Sequence, residues 1–366
     1  MRFIDYFKKN LLNAAKLLYK KSPSWGKVFV YRKHLIKRFK NGCLPPVYLE
    51  TTNACNLNCI MCPTQRPEAK KFNKEGFMDF TLFRRLINEI ASENPFNEVF
   101  LHKDGEPLLH PQIVDFIDYA SSRLHNVSLA TNATLLNKEL AEAILSTKLQ
   151  TIRFSVDGLN KDTFEKIRRQ NQDNPYARLD IPVDYKSVIN NIKQFCDLKK
   201  ALGKSFPRVG VRITDFKATN QELADYTSYW KKRVDFVEIA QLLSWSGQVT
   251  KEEDGFTHRY PCQDLWGYIT ISWNGIMVPC CAYVDIKGDG KGILADLNNC
   301  SLREAWHSPS MQRLRLAHLE GDLDKLAPFC RSCRDWRLSM PPGKKLWSEK
   351  FKNKIRVEIK KEVGSV

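Results

Sequence analysis

Apolar positions along the chain change their spacing twice. In residues 1–42, Ile4, Phe7, Leu11, Ala14 and Leu18 recur at three- and four-residue steps, which places them on one helical face with lysines around it. Ser22-Pro23-Ser24 stops that helix, and a second basic segment runs from Lys27 to Lys40, closed by Asn41-Gly42. From Pro46 onward, short β-branched and apolar runs alternate with amphipathic stretches. The runs Val47–Glu50, Val99–Leu101, Val127–Ala130, Thr151–Val156, Arg208–Ile213 and Phe236–Ala240 read as strands. Helical patterns fall between them at Phe80–Ser92, Gln112–Ser122, Lys138–Ser146, Asp162–Gln170, Tyr185–Leu202 and Gln221–Lys232, while 171–184 reads as a polar insertion. Six βα units in succession imply parallel strands with helices outside, short of the eight that close a full barrel. After about Gly247 the alternation ends. Tyr268–Trp273 and Ile276–Pro279 flank Asn274-Gly275, a hairpin signal, and Ser301–His307 and Ser310–His318 read as short helices.

The expected fold is therefore α/β, a partial (β/α)6 TIM-like barrel followed by a small C-terminal cysteine-rich α+β domain. The boundaries read as a basic helical extension at 1–45, the barrel at 46–248, the cysteine-rich domain at 249–340 and a basic tail at 341–366. The last domain looks too cysteine-rich for an apolar core of its own, which points to a metal holding it together.

Composition sharpens this picture. A hydrophobic share of 43% and a charged share of 27% exclude a disordered chain. No uninterrupted apolar stretch is long enough to span a bilayer, and Leu11 to Leu18 is too short and broken by Lys16 for a secretion signal. A cytoplasmic location is the expectation. The net charge of +17 lies at the ends: residues 1–42 hold twelve Lys or Arg against one acid, and 341–366 hold eight against three. A near-neutral body weakens the inference to nucleic acid. The Ile4–Leu18 face reads first as packed against the barrel; a second reading of the basic ends is an anionic membrane surface, with the chain peripheral on its inner face.

Eleven cysteines in a reducing compartment call for a reason other than disulfides. Cys196, on a helical segment, reads as a packed thiol. Cys55, Cys59 and Cys62 sit in one loop directly after the first strand, spaced by three and then two residues. Zinc would want a fourth ligand nearby, for which His102 and His110 are candidates. An electron-carrier cluster would want four cysteines. Three thiols in one loop would leave one metal open.

Cys55-x3-Cys59-x2-Cys62 after strand one of a parallel partial barrel resembles the radical S-adenosylmethionine superfamily. The resemblance implies that these three cysteines hold a [4Fe–4S] cluster whose fourth iron is chelated by S-adenosylmethionine. The cofactor is then cleaved reductively to methionine and a 5′-deoxyadenosyl radical that removes a hydrogen atom from substrate. Leu101-His102-Lys103-Asp104-Gly105-Glu106-Pro107 is similar to the family's Gly-Gly-Glu turn, with Asp104 in place of the first glycine, and implies cofactor contacts from Asp104, Gly105 and Glu106. Phe154-Ser155-Val156-Asp157-Gly158 is similar to its ribose-contacting segment, with Ser155 the hydroxyl donor. Asn132 stands in a Thr-Asn-Ala where Thr-Asn-Gly is commoner. Arg212 is placed to pair with the cofactor carboxylate, and Met61 replaces an aromatic residue near adenine.

Cys262, Cys280, Cys330 and Cys333 form a second, four-thiol set with a hairpin inside it. Four ligands would close an auxiliary [4Fe–4S] cluster or a zinc site. Pro261-Cys262 to Trp266, Trp273-Asn274-Gly275 through Cys280, and Ser301 to Trp306 resemble the SPASM auxiliary-cluster domain. With no cysteine after Cys333, the pattern is similar to its shortened, one-cluster twitch form. Cys281 and Cys300 read as packed thiols, Cys281 with a second reading as an alternative ligand.

The resemblance implies a radical enzyme served by a reductant such as flavodoxin or ferredoxin. A sugar or aminocyclitol-type alcohol is the expected substrate, because an auxiliary cluster suits oxidation and Cys281 stands where sulfatase-maturating enzymes carry an acid. Two alternatives stay open: a peptide-modifying maturase, and a non-catalytic iron–sulfur protein bound to nucleic acid or membrane. In the last of these, Trp25, Phe29, Tyr31, Trp347 and Phe351 would stack on bases.

Overall fold

The computed structural model describes residues 28–30, 32–33, 35–36, 44–169, 183–247, 259–285, 288, 290–321, 325–338 and 346–363. Most of the N-terminal extension, the insertion at 170–182 and Cys43, Trp25 and Tyr31 lie outside the described residues.

Among the described residues, nine strands form one sheet in the order β6-β5-β4-β3-β2-β1-β7-β8-β9. The first six, β1 (Val47–Leu49), β2 (Glu98–Phe100), β3 (Asn126–Thr131), β4 (Thr151–Ser155), β5 (Arg208–Asp215) and β6 (Phe236–Gln241), pair in parallel with their neighbours. Parallel strands covered by helices must be apolar within, and Val127, Leu129, Ile152, Phe154, Val209, Val211 and Ile213 are all buried. The helix Phe80–Glu93 turns Phe83, Leu86, Ile87 and Ile90 onto the sheet at three- and four-residue spacing. Four of the connecting helices start alike. The side chains of Asp79, Asn137, Asn160 and Asp184 each accept an amide hydrogen bond from the first helical turn, which is why these helices begin where they do.

The C-terminal segment shares its sheet with the barrel. Its hairpin, β7 (Ile269–Ile271) and β8 (Ile276–Val278), continues the barrel sheet: β7 pairs in parallel with β1, and β9 (Ala295–Asp296) adds to β8. The turn is as expected, with Gly275 at φ +85°. Leu265, Trp266, Ile269, Ile271, Met277, Leu302, Trp306 and Met311 join the same core cluster as the barrel helices. The segment thus has no core of its own: its apolar support comes from the barrel. Across the junction, Glu89 accepts the Leu302 amide at 2.7 Å.

The end of the chain also packs. Glu349–Val363 is a helix whose Phe351, Ile355 and Ile359 are buried beside Leu346 and Trp347. Arg32 donates to the Leu346 carbonyl at 2.7 Å, joining the two basic ends. Trp347 and Phe351 are thus core residues, which removes them as base-stacking platforms, whereas Phe29 is 65% exposed. Among the described residues, no helix is long and apolar enough to cross a membrane.

Candidate functional site

The loops leaving the C-terminal ends of β1 to β6 enclose a cavity of about 340 Å³. Cys55, Cys59, Met61 and Cys62 line it from the loop after β1, and Asp104, Gly105 and Glu106 from the loop after β2. Asn132 follows β3, Ser155 ends β4 and Arg212 lies in β5. The three cysteines and every residue nominated for the cofactor thus line one cavity, although they come from five strands.

Glu106 organises this wall. It is 2% exposed, and its carboxylate accepts from Thr131 Oγ1 and the Asn132 amide, both at 2.7 Å, and from the Leu108 amide at 3.0 Å. Its own amide donates to the Ala54 carbonyl at 2.8 Å. Gly105 is required at its position, since a Cβ there would lie 2.2 Å from the Thr52 carbonyl oxygen and 2.6 Å from that of Ala54. The Asn132 side chain is engaged within the wall. Its amide donates to Asn56 Oδ1 at 2.9 Å and its oxygen accepts from the Thr134 amide at 3.0 Å.

Burial pushes all three thiols up, Cys59 to about 12, and at Cys55 the neighbouring Cys59 and Glu106 add to the rise. Crowded, half-buried thiols carry charge only against a compensating cation, which a thiolate-bound metal centre supplies. Arg212 is 37% exposed and only loosely held by Glu238 at 3.7 Å, leaving a guanidinium fork at the cavity for a carboxylate.

Several lining residues carry no motif. Arg168 donates through Nε to Asp157 Oδ2 at 3.0 Å. Burial opposes its charge, but Asp157 and Cys59 outweigh that, and its pKa is raised. His102 lines the cavity while His110 does not; His110 is engaged with the Met78 carbonyl at 3.1 Å and the Gln112 amide at 3.1 Å. Tyr48, Gln241, Trp245 and Cys281 complete the far side. Cys281 is therefore a cavity residue, not simply a packed thiol, because the chain turns back toward the barrel after β8. Cys300 is packed as expected, donating to the Asp296 carbonyl at 3.2 Å.

Cys262, Cys330 and Cys333 are each 8% exposed, and Cys280 is half-buried. They lie near enough to raise one another: burial, then Asp264, then Cys333 and Cys330 raise Cys262. The Asp335 amide donates to Cys333 Sγ at 3.3 Å and Ser244 Oγ lies 3.9 Å from it, the kind of contact that settles a thiolate. Among the described residues, no three His, Cys, Asp or Glu side chains are placed to hold a single metal ion. A multi-iron cluster asks instead for thiols arranged around a larger volume.

Comparison with known proteins places these features. Residues 49–200 match the radical SAM superfamily, and residues 262–334 match the SPASM iron–sulfur cluster-binding domain. The chain is a radical SAM protein with a C-terminal SPASM domain, built as a partial barrel, and its cofactors are [4Fe–4S] clusters and S-adenosylmethionine. It is 25% identical over 201 residues to the tungsten-containing aldehyde ferredoxin oxidoreductase cofactor-modifying protein of Pyrococcus furiosus, covering 54% of this chain and 51% of that one. It is 28% identical over 139 residues to the mycofactocin maturase of Mycobacterium ulcerans, covering 37% and 35%. The chain thus spans about half of the first relative and a third of the second. Among solved structures it resembles Streptococcus suis SuiB bound to precursor peptide SuiA, with a TM-score of 0.57 at 14% identity over 82% of this chain and 74% of that one.

Proposed function

We propose that Cys55, Cys59 and Cys62 hold the cluster to which S-adenosylmethionine binds, and that Cys262, Cys280, Cys330 and Cys333 hold an auxiliary [4Fe–4S] cluster. The chain then abstracts hydrogen from its substrate, in our reading to oxidise a sugar or aminocyclitol-type alcohol. The observation that carries this is the gathering of the three cysteines with Asp104, Gly105, Glu106, Asn132, Ser155 and Arg212 around one cavity. When bound, the cluster and S-adenosylmethionine supply reductive carbon–sulfur bond cleavage and the hydrogen abstraction that follows it.

The protein's own residues do the positioning. Gly105 lets the second loop close on the cysteine loop, and Glu106 fixes it to β3. The Arg212 fork would hold the cofactor carboxylate, and Ser155 and Met61, which line the same cavity, would contact the nucleoside. Arg168 lies beside Cys59 and offsets the thiolate charge. The buried walls exclude water from the reacting atoms. A small reductant of the flavodoxin or ferredoxin type supplies the electron, and the basic ends hold the protein against an anionic membrane.

A second reading, modification of a peptide, is supported by the similarity to a maturase. Anaerobically reconstituted protein should carry about eight irons and release 5′-deoxyadenosine from S-adenosylmethionine. Changing Cys55, Cys59 and Cys62 together to Ala should leave about four irons and no release. Release by that triple variant would refute the site. Incubation with alcohols or with peptides, followed by mass spectrometry of the product, separates the two substrate readings.

A further inference from the structure

Ile60 stands in the cysteine loop between Cys59 and Cys62, and it is 38% exposed. Its backbone is held on both sides. The amide donates to the Ile167 carbonyl at 3.0 Å, and the carbonyl accepts from Arg66 Nη2 at 3.3 Å. The Asn58 amide donates to the Arg169 carbonyl at 2.7 Å, so the loop rests on the end of the helix Lys161–Ile167. Cys59 and Cys62 are half-buried, so the loop does not seal them from the surface.

This contact brings three cations to the rim of the loop. Arg66 is half-buried, and Lys166 and Arg169 are exposed. Arg169 Nε donates to the Lys166 carbonyl at 3.3 Å, which keeps these two together. Among the described residues none of the three is paired with a carboxylate, whereas the adjacent Arg168 turns inward onto Asp157.

Residues 56–71 and 161–169 hold seven Lys or Arg against three acids, in a body where the two signs nearly balance. Two of the seven are already matched, Arg168 by Asp157 and Lys70 by Glu75 at 3.4 Å. The remaining five outnumber Glu68, Asp162 and Glu165, and Glu165 lies within 3.4 Å of the Tyr185 amide. The surface beside the cysteine loop is therefore an apolar point with an excess of positive charge around it. Electron-transfer encounters use small, reversible interfaces. Cations at the rim of such a contact steer an acidic partner to it and set its orientation.

We propose that Ile60, Arg66, Lys166 and Arg169 form the docking surface for a small acidic electron-carrier protein. The carrier gives up one electron there, which passes inward to the centre held by Cys59 and Cys62, and it departs oxidised by one electron. This deepens the functional reading above and rests on it for the presence of that centre.

The test uses the reconstituted, full-length protein and an acidic flavodoxin as probe. Calorimetry reads flavodoxin binding, and 5′-deoxyadenosine release is measured with reduced flavodoxin and, separately, with dithionite. Lys166→Glu combined with Arg169→Glu should weaken flavodoxin binding at least about tenfold at low salt, and added salt should weaken wild-type binding. Release driven by flavodoxin should fall with the binding, while iron content and release driven by dithionite stay at wild-type levels. Arg84→Glu combined with Arg123→Glu, on the exposed basic patch around Tyr119, serves as the control and should leave binding unchanged.

Undiminished binding in the Lys166/Arg169 variant with its iron intact overturns the proposal. So does an equal loss in the Arg84/Arg123 control, which would make the attraction general rather than local. An equal fall in dithionite-driven release overturns it too, because the residues would then act on the site and not on the carrier. Should the Lys166/Arg169 variant lose iron, Ile60→Glu decides, since the backbone bonds of Ile60 survive that change; unchanged flavodoxin binding there overturns the surface. Absence of 5′-deoxyadenosine under dithionite, with charge-dependent flavodoxin binding intact, would refute the cofactor reading and leave the docking surface standing.

Discussion

The Asn132 main-chain amide donates to Glu106 Oε2 at 2.7 Å, tying the loop after β2 to the end of β3. Thr131 adds a second bond across the same gap, and the Glu106 amide reaches back to Ala54 in the cysteine loop. One carboxylate thus fixes three loops that carry the site. Glu106→Ala would leave buried donors without acceptors, each costing about 1–3 kcal/mol. The variant should unfold at lower denaturant concentration and retain less iron, with Glu106→Gln between it and wild type. Wild-type stability in Glu106→Ala would show that the carboxylate organises nothing.

Gly105 packs edge-on against the cysteine loop, and the atoms that an alanine methyl would strike are the Thr52 and Ala54 carbonyl oxygens. Backbone cannot swing aside as a side chain can. Gly105→Ala should therefore displace the 104–106 loop from the cysteine loop and reduce 5′-deoxyadenosine release at least about tenfold, which corresponds to only about 1.4 kcal/mol in the barrier. Unaltered turnover would mean that the two loops need not touch.

Arg168 and Asp157 form a buried pair, with side chains 10% and 1% exposed. Removing one partner strands the other charge, a loss of about 3–5 kcal/mol in comparable buried pairs. Arg168→Ala should lower the unfolding midpoint markedly. It should also reduce iron at the first site, because the guanidinium lies beside Cys59. Arg168→Lys should recover part of the iron but less of the stability, since the ammonium cannot reproduce the fork. Identical behaviour of the two variants would contradict a role for the fork.

The sequence made the parallel strands and both cysteine sets legible, because apolar runs such as Val127–Ala130 and thiol spacing are local signals. The union of β7 with β1 was not legible. It joins residues more than two hundred positions apart, and nothing in Ile269–Ile271 says which strand edge it will meet. Lys103, Arg168 and Cys281 were missed as cavity residues for a related reason. Each owes its place to partners on other elements, Lys103 to Glu50 and Arg168 to Asp157, and a charge beside a motif reads locally as surface. The basic C-terminal segment misled through composition, since its charges sit on one side of a helix whose Phe351, Ile355 and Ile359 are buried.

Cys330 and Cys333 lie at the edge of the shared core, with Arg259 Nη1 donating to the Cys330 carbonyl. Their segment continues the barrel sheet, so losing the second set of irons should loosen it locally and leave the barrel folded. Replacing both with Ala should halve the iron, abolish product formation and spare slow 5′-deoxyadenosine release. Hydrogen exchange should quicken around 259–285 and 328–338 but not in β3 or β4. Stoichiometric zinc in anaerobically purified protein would rule out electron transfer through this site.

The basic ends make a prediction that the packing refines. Val28 and Leu35 are buried and Arg32 docks on Leu346, so this stretch belongs to the folded body. Residues 1–27 hold seven Lys or Arg against a single acid, with an apolar periodicity from Ile4 to Leu18. Such a segment suits the headgroup layer of an anionic bilayer, where each basic residue contributes about 1 kcal/mol. The protein should sediment with phosphatidylserine-containing vesicles but not with phosphatidylcholine alone, and moderate salt should release it, since screening shortens the reach of surface charge. Removing residues 1–27 should abolish sedimentation and leave iron content and unfolding midpoint unchanged, whereas removing 1–42 should also destabilise the fold by taking Leu35 and Arg32. Aggregation and iron loss in the shorter truncation would assign the Ile4–Leu18 face to the protein core and end the membrane proposal.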